Sequence, residues 1–162
     1  GQTDGSLLDE LSARLLEMGA AVVGLKLGEQ GFFVRTTDVP DRLASLAPLL
    51  GKRLGEWQNR ALLAPCFQVK VAGTTGAGDS TIAGFLTGLL HGLSLEDALT
   101  LAVGVGAYSV EQADASSGIP PWQEVQARIA AGWPRRPVDL DLPGWRRNAE
   151  NGLFKGPFDR TM

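Results

Sequence analysis

Gly73-Thr74-Thr75-Gly76-Ala77-Gly78-Asp79 is the stretch on which the reading of this chain turns. Before it, Phe67–Val71 reads as a strand; after it, Ser80 to about Leu90 reads as a helix ending near Gly92. A glycine-rich passage from strand to helix lets backbone N–H groups point into one concavity, and the helix adds the positive end of its dipole. Together they make a site for an anion, phosphate above all, or for a developing phosphoryl oxyanion. Asp79 falls in the first helical turn, where a carboxylate is favoured and can take a proton from a hydroxyl held against it. Three familiar motifs fail on spelling. The P-loop needs a lysine where Asp79 stands, the dinucleotide fingerprint meets Thr81 instead of its third glycine, and Ser80 is not flanked by glycines as a nucleophile elbow requires. A plain structural joint is the competing reading of this local spacing.

Working outward, residues 6 to 18 carry Leu7, Leu8, Leu11, Leu15 and Leu16 at helical spacing, with Ser6 as cap, Asp9 as its partner and Gly19 as terminator. Ala21–Leu27 is a nearly continuous apolar run, the pattern of a strand covered on both faces, and Gly28–Gly31 turns it into a second strand, Phe32 to Arg35. Pro40, Pro48, Gly51 and Gly55 interrupt residues 36 to 56, which reads as irregular with one helical turn near Leu43. A strand is expected over Trp57–Leu63. Ser94 with Asp97 forms a capping box for a helix to about Gln112. A polar loop over 113–118 precedes Pro120-Pro121, which opens a last helix to about Ala131. Prolines 134, 137, 143 and 157 forbid regular helix beyond Gly132, while Trp133, Trp145 and Phe154 fit a tail packed on the body.

Composition narrows the function classes. The chain has 162 residues, 44% hydrophobic and 20% charged, enough for one domain with a true core. A net charge of −3 leaves no basic surplus for a nucleic-acid backbone. Cys66 alone excludes an internal disulfide, and His91 alone excludes a multi-histidine metal site. No apolar run approaches the ~18 residues of a membrane helix, and the N-terminus lacks signal-peptide order. A cytoplasmic protein with no membrane partner is expected. The 21 glycines are nearly twice the usual ~7%; Gly88, Gly104 and Gly106 fall inside helices, where a close helix–helix or nucleotide approach would explain them. His91 suits a helix C-terminus, Cys66 a buried inert thiol, and the pairs Arg135-Arg136 and Arg146-Arg147 a solvated surface.

Thr74-Thr75-Gly76-Ala77-Gly78-Asp79, followed by Ala83-Gly84-Phe85, resembles the C-terminal signature of the ribokinase-like (pfkB) carbohydrate kinases. Lys26-Leu27-Gly28-Glu29-Gln30-Gly31 resembles that family's strand and turn beside the nucleotide. Leu95-Glu96-Asp97-Ala98 is similar to the helix flanking the adenine, and Ser117-Gly118-Ile119-Pro120 to the closing loop. The resemblance implies an α/β fold, the C-terminal half of a three-layer αβα arrangement over residues 1–133, with a wrapped, irregular tail over 134–162. It implies phosphoryl transfer from ATP, with Mg2+, to a hydroxyl of a sugar or sugar acid. Asp79 would be the base, and the amides of Gly76, Ala77 and Gly78 the anion hole. Lys26, Gly28, Gly31 and Thr75 would border the nucleotide, and no residue is assigned to a metal. A homodimer belongs to the full-length parent.

Departures accompany the likeness. Gly73 stands where many relatives have a cation-holding aspartate, and Lys26 where many have threonine. Lys26 then reads either as a phosphate-facing cation or as a solvated strand end. The family's enzymes are longer, and their Asn-x-x-Glu element does not occur here. A half-fold would expose sheet edges and an apolar face. A truncated, non-catalytic nucleotide-binding or interaction module is therefore the alternative function; a dinucleotide-dependent oxidoreductase is a weaker one.

Overall fold

The computed structural model describes residues 4–114 and 117–160. Helix α1 (Gly5–Glu17) leads into the antiparallel strands β1 (Val22–Lys26) and β2 (Phe32–Thr36). Short helical turns α2 (Pro40–Leu43) and α3 (Ala47–Leu50) precede β3 (Ala61–Ala64). The glycine loop opens α4 (Ala77–Leu90); α5 (Leu95–Val110) and α6 (Trp122–Ala130) follow, and the tail contributes β4 (Arg146–Arg147) and β5 (Phe154–Lys155). The strands form one antiparallel sheet in the order β1-β2-β3-β5-β4.

Alternation along the strands sorts side chains between two covering layers. Phe32, Val34, Leu62 and Ala64 pack with Phe85 of α4 and Leu95, Leu99 and Ala102 of α5. Phe33, Ala61 and Leu63 face the other way, onto Leu8 of α1 and Leu140, Leu142 and Trp145 of the tail. Fully burying each large apolar side chain contributes roughly 1.5–3 kcal/mol, so both layers are needed to hold the sheet. The wrapped tail is thus half of one layer.

Several expectations need correction. The strand covered on both faces is β3, whose four residues are all buried; β1 lies at the sheet end with Gly24 and Lys26 exposed. Asp4, not Ser6, caps α1, its Oδ1 accepting from the Leu7 N–H at 2.9 Å, because Ser6 already lies inside the helix. The helical turn expected near Leu43 is α2, but the rest of 36–56 is not irregular: a 3-10 turn at Ala44–Leu46 links α2 to α3, another at Gly51–Trp57 follows α3, and Pro40 and Pro48 sit in first turns, where a missing N–H costs nothing. That winding ends with Trp57 fully buried and its indole N–H on Leu93 O at 3.2 Å, so β3 begins later than expected. The strand expected over Phe67–Val71 shrinks to a single bridge between Phe67 and Arg135. The tail, expected to be irregular, carries the β4–β5 hairpin that extends the sheet from β3.

Elsewhere the sequence logic holds. Ser94 Oγ accepts from the Asp97 N–H at 3.1 Å, and α5 runs unbroken behind it. The helical glycines mark close helix packing. A Cβ on Gly88 would lie 2.8 Å from Ala98 Cα, and one on Gly84 3.0 Å from Ala102 Cα. One on Gly104 would lie 2.8 Å from Val125 Cγ1 of α6, and one on Gly106 would strike the Thr81 hydroxyl. Leu7, Leu11 and Leu15 of α1 stay exposed beside Met18. The expected 113–118 loop includes residues 115–116, which lie outside the described residues.

Candidate active site

The entrance of α4 is set by Gly76, which takes a left-handed φ of 77° that a side chain would strain. The N–H groups of Gly76, Gly78 and Asp79 find no hydrogen-bond acceptor among the described residues, and that of Ala77 spans 3.3 Å to Thr74 O. These are the unfilled donors of a helix N-terminus, gathered where the dipole favours negative charge. Thr81 turns its hydroxyl back to Ala77 O at 2.8 Å and so braces the same turn.

Two cavities flank this turn. The larger, about 420 Å³, includes Lys26, Gly28 and Gly31 from the β1–β2 turn and Thr74, Ala77 and Gly78 from the glycine loop. Its apolar wall comes from Val69, Val71, Val103, Ala107 and Val110. The second, about 350 Å³, is bordered by Asp79 and Ser80, with Ile119, Pro120 and Trp122 opposite. The first turn of α4 therefore separates Gly78 from Asp79. Asp79 is exposed, and its carboxylate makes no hydrogen bond or ion pair among the described residues.

Lys26 ends β1 exposed, and a Cβ on Gly78 would strike its ammonium, so that charge rests beside the glycine loop. Gly31, at φ 124°, passes so close to Ala64 O that a side chain could not fit, and its own carbonyl accepts the Leu27 N–H at 2.9 Å. The structure thus brings Lys26, Gly28, Gly31, Ala77 and Gly78 to one cavity. Gly76 and Thr75 stand beside its lining, to which Thr74 contributes, and Asp79 opens on the other cavity.

The tail supplies what the sequence did not reveal. Arg135, expected to be solvated, donates to Pro65 O at 2.7 Å, Asn151 O at 3.0 Å and the Thr100 hydroxyl at 3.0 Å. Burial pushes its guanidinium down to about 10. Arg136 reaches the larger cavity and pairs with Glu29 at 2.8 Å, so the tail closes one side of the mouth. Cys66 also lines this cavity, half-buried, its Sγ 3.5 Å from Gly28 O; burial pushes the thiol up, away from thiolate chemistry. His91 sits at the C-cap of α4 and stacks on Trp122 at 4.5 Å.

The cavity fits a nucleotide: an apolar cleft for a base, open N–H donors and an ammonium for phosphates. A magnesium cage is another matter, because no group of three His, Cys, Asp or Glu side chains converges among the described residues. Nor is any helix among them long and apolar enough to cross a membrane.

This layered sheet with a glycine-rich helix entrance defines the ribokinase-like class. A ribokinase structure from Thermotoga maritima matches with a TM-score of 0.58 and 27% identity, over 76% of this chain and 34% of that one. The ribokinase of Arabidopsis thaliana, solved with ribose and ATP, shares the fold at a TM-score of 0.58 and 20% identity, over 75% of this chain and 33% of that one. A sugar kinase of uncharacterized specificity from Archaeoglobus fulgidus is 33% identical over 107 residues, 66% of this chain and 34% of its own length. The profile of the pfkB family of carbohydrate kinases matches residues 2–122, and the chain belongs to that family. It spans about a third of the relatives' length, and the tail from Gln123 onward lies outside the matched residues.

Proposed function

We propose that this chain supplies the nucleotide side and the base of an ATP-dependent kinase acting on a hydroxyl of a sugar or sugar acid. One observation carries the reading: the first turn of α4 divides two cavities, with Gly78 and Lys26 on one and Asp79 on the other. Phosphoryl transfer needs donor and acceptor held in line across one charged point, and little covalent help from the protein. The apolar wall, Gly28, Gly31 and Thr75 would border the nucleotide. Lys26 and the N–H groups of Gly76, Ala77 and Gly78 would hold the charge that develops on the transferring phosphoryl group. Asp79 would orient the acceptor hydroxyl and take its proton. ATP supplies the phosphoryl group, and Mg2+ would enter on the nucleotide's own phosphate oxygens. A cytoplasmic setting, small-molecule partners and a homodimeric longer parent complete this proposal.

The mostly apolar lining of the cavity beside Asp79, with Ala83, Val105, Ile119, Pro120 and Trp122, favours a second reading, a nucleotide-binding module without its own acceptor site. Calorimetry with Mg-ATP, followed by a phosphate-transfer assay with ribose, fructose and a keto-sugar acid, separates the two. Transfer supports the kinase, and ATP binding without transfer to any acceptor supports the module. Absence of ATP binding overturns both.

A further inference from the structure

A third cavity, about 370 Å³, shares no residue with the two that flank α4. Its lining brings Arg60, Arg146, Arg147, Lys155 and Arg160 around one carboxylate, Glu96. Five cations stand against Glu96 in the lining and Asp159 behind Arg60, still a local reversal in a chain of net charge −3. Arg60 is fully engaged: Nε donates to Asp159 at 2.8 Å, Nη1 to Glu56 O at 2.9 Å and Nη2 to Glu96 at 2.5 Å. It forms a fixed floor, 4% exposed.

The other four cations are in a different condition. None makes an ion pair among the described residues. The sheet register sets Arg146 directly opposite Lys155, and like charges in that position repel. Arg147 and the half-buried Arg135 both approach Gly152, so Arg147 also lies near a cation, and its charge, after burial, lowers the Arg135 guanidinium. The Arg160 Nε is buried with no hydrogen-bond partner among the described residues, a donor the protein leaves unsatisfied there. All four lie in the tail, outside the family match at residues 2–122.

We propose that the β4–β5 hairpin and Arg160 build a binding site for a small phosphate-bearing anion, distinct from the nucleotide cavity. Guanidinium groups bind phosphate oxygens through paired N–H donors, and several cations converging on a concavity suit a multiply charged group. A small ligand is favoured over a nucleic acid because the cations gather at one open concavity of about 370 Å³ rather than along a stripe, and the chain as a whole is acidic. The site stands whether or not the α4 entrance transfers phosphate.

Calorimetric titration of the chain with pyrophosphate tests it, with inorganic phosphate and glycerol 3-phosphate as parallel ligands that separate a free anion from an organic phosphate. A saturable site is expected that persists in Lys26→Met, where the ammonium of the nucleotide cavity is removed, and that is weakened at least tenfold when Arg146→Ser/Arg147→Ser is added in that background. Both altered arginines are exposed, and a thermal melt checks that the variant is folded. Absence of saturable binding by all three ligands, binding that survives the double substitution, or binding lost with Lys26 overturns the proposal. A duplex oligonucleotide that binds tighter than pyrophosphate, and only with both arginines present, also overturns it in favour of a nucleic-acid surface.

Discussion

At its entrance α4 sets Gly78 beside the mobile end of Lys26 and open space, whereas further along the same helix presses Gly88 onto the backbone of Ala98. The residue type is the same and the missing side chain makes room for different things. At the entrance the neighbour is the far end of a side chain that can give way, and a cavity lies beside it. At the seam with α5 the neighbour is main chain and the space is already filled. What a glycine does is therefore settled by what the fold places opposite it.

The largest effect that would sharpen this contrast lies at the entrance. Asp79→Asn in the catalytically complete protein should lower turnover on the order of a hundred- to ten-thousand-fold while ATP still binds. Steady-state kinetics beside calorimetry checks it, and near-normal turnover would remove Asp79 from the chemistry. Next come paired substitutions. Gly88→Ala should destabilise by roughly 1–3 kcal/mol through overpacking. Gly78→Ala should melt no lower than the parent, since alanine favours helix by up to ~1 kcal/mol, yet bind ATP more weakly. Thermal melts of the two variants break the comparison if they shift alike. Lys26→Met should weaken ATP binding roughly tenfold, about 1.4 kcal/mol, without moving the melting temperature.

The smallest effect is one of pH. Burial would raise the Glu96 carboxyl, but the Arg60 hydrogen bond and charge outweigh it and hold the group below its ordinary 4.5. A carboxylate depressed in the folded state stabilises above its unfolded value and loses that contribution as pH falls through the folded one. Stability should therefore decline on acidification below about 4.5, and less steeply in Glu96→Gln; urea melts across that range measure it.

Elements with a complete local code were legible before the structure. The capping box of Ser94 and Asp97 announces α5, and the glycine loop announces the entrance of α4. What stayed hidden is what distant partners decide. Phe67 looked like the start of a strand but pairs only with Arg135, far along the chain. Arg135 looked solvated because nothing near it in sequence reveals Pro65 O, Thr100 and Asn151 O as acceptors. Strands of two residues, as in β4 and β5, have no periodicity to read. The candidate site divides likewise: Ala77, Gly78 and Asp79 could be named from spelling, whereas the place of Lys26 over Gly78 and the arrival of Arg136 depend on tertiary packing.

The two ends of the sheet are finished differently. β4 is short and bears two arginines, so a further strand docking there would meet charge and little backbone. β1 is longer and presents Gly24 and Lys26 to solvent. Among the described residues β1 thus offers more backbone at its edge than the hairpin does, with Lys26 as its one charge. Deleting the tail would bare the β3 edge together with Phe33, Ala61 and Leu63, so backbone and apolar face would be uncovered at once.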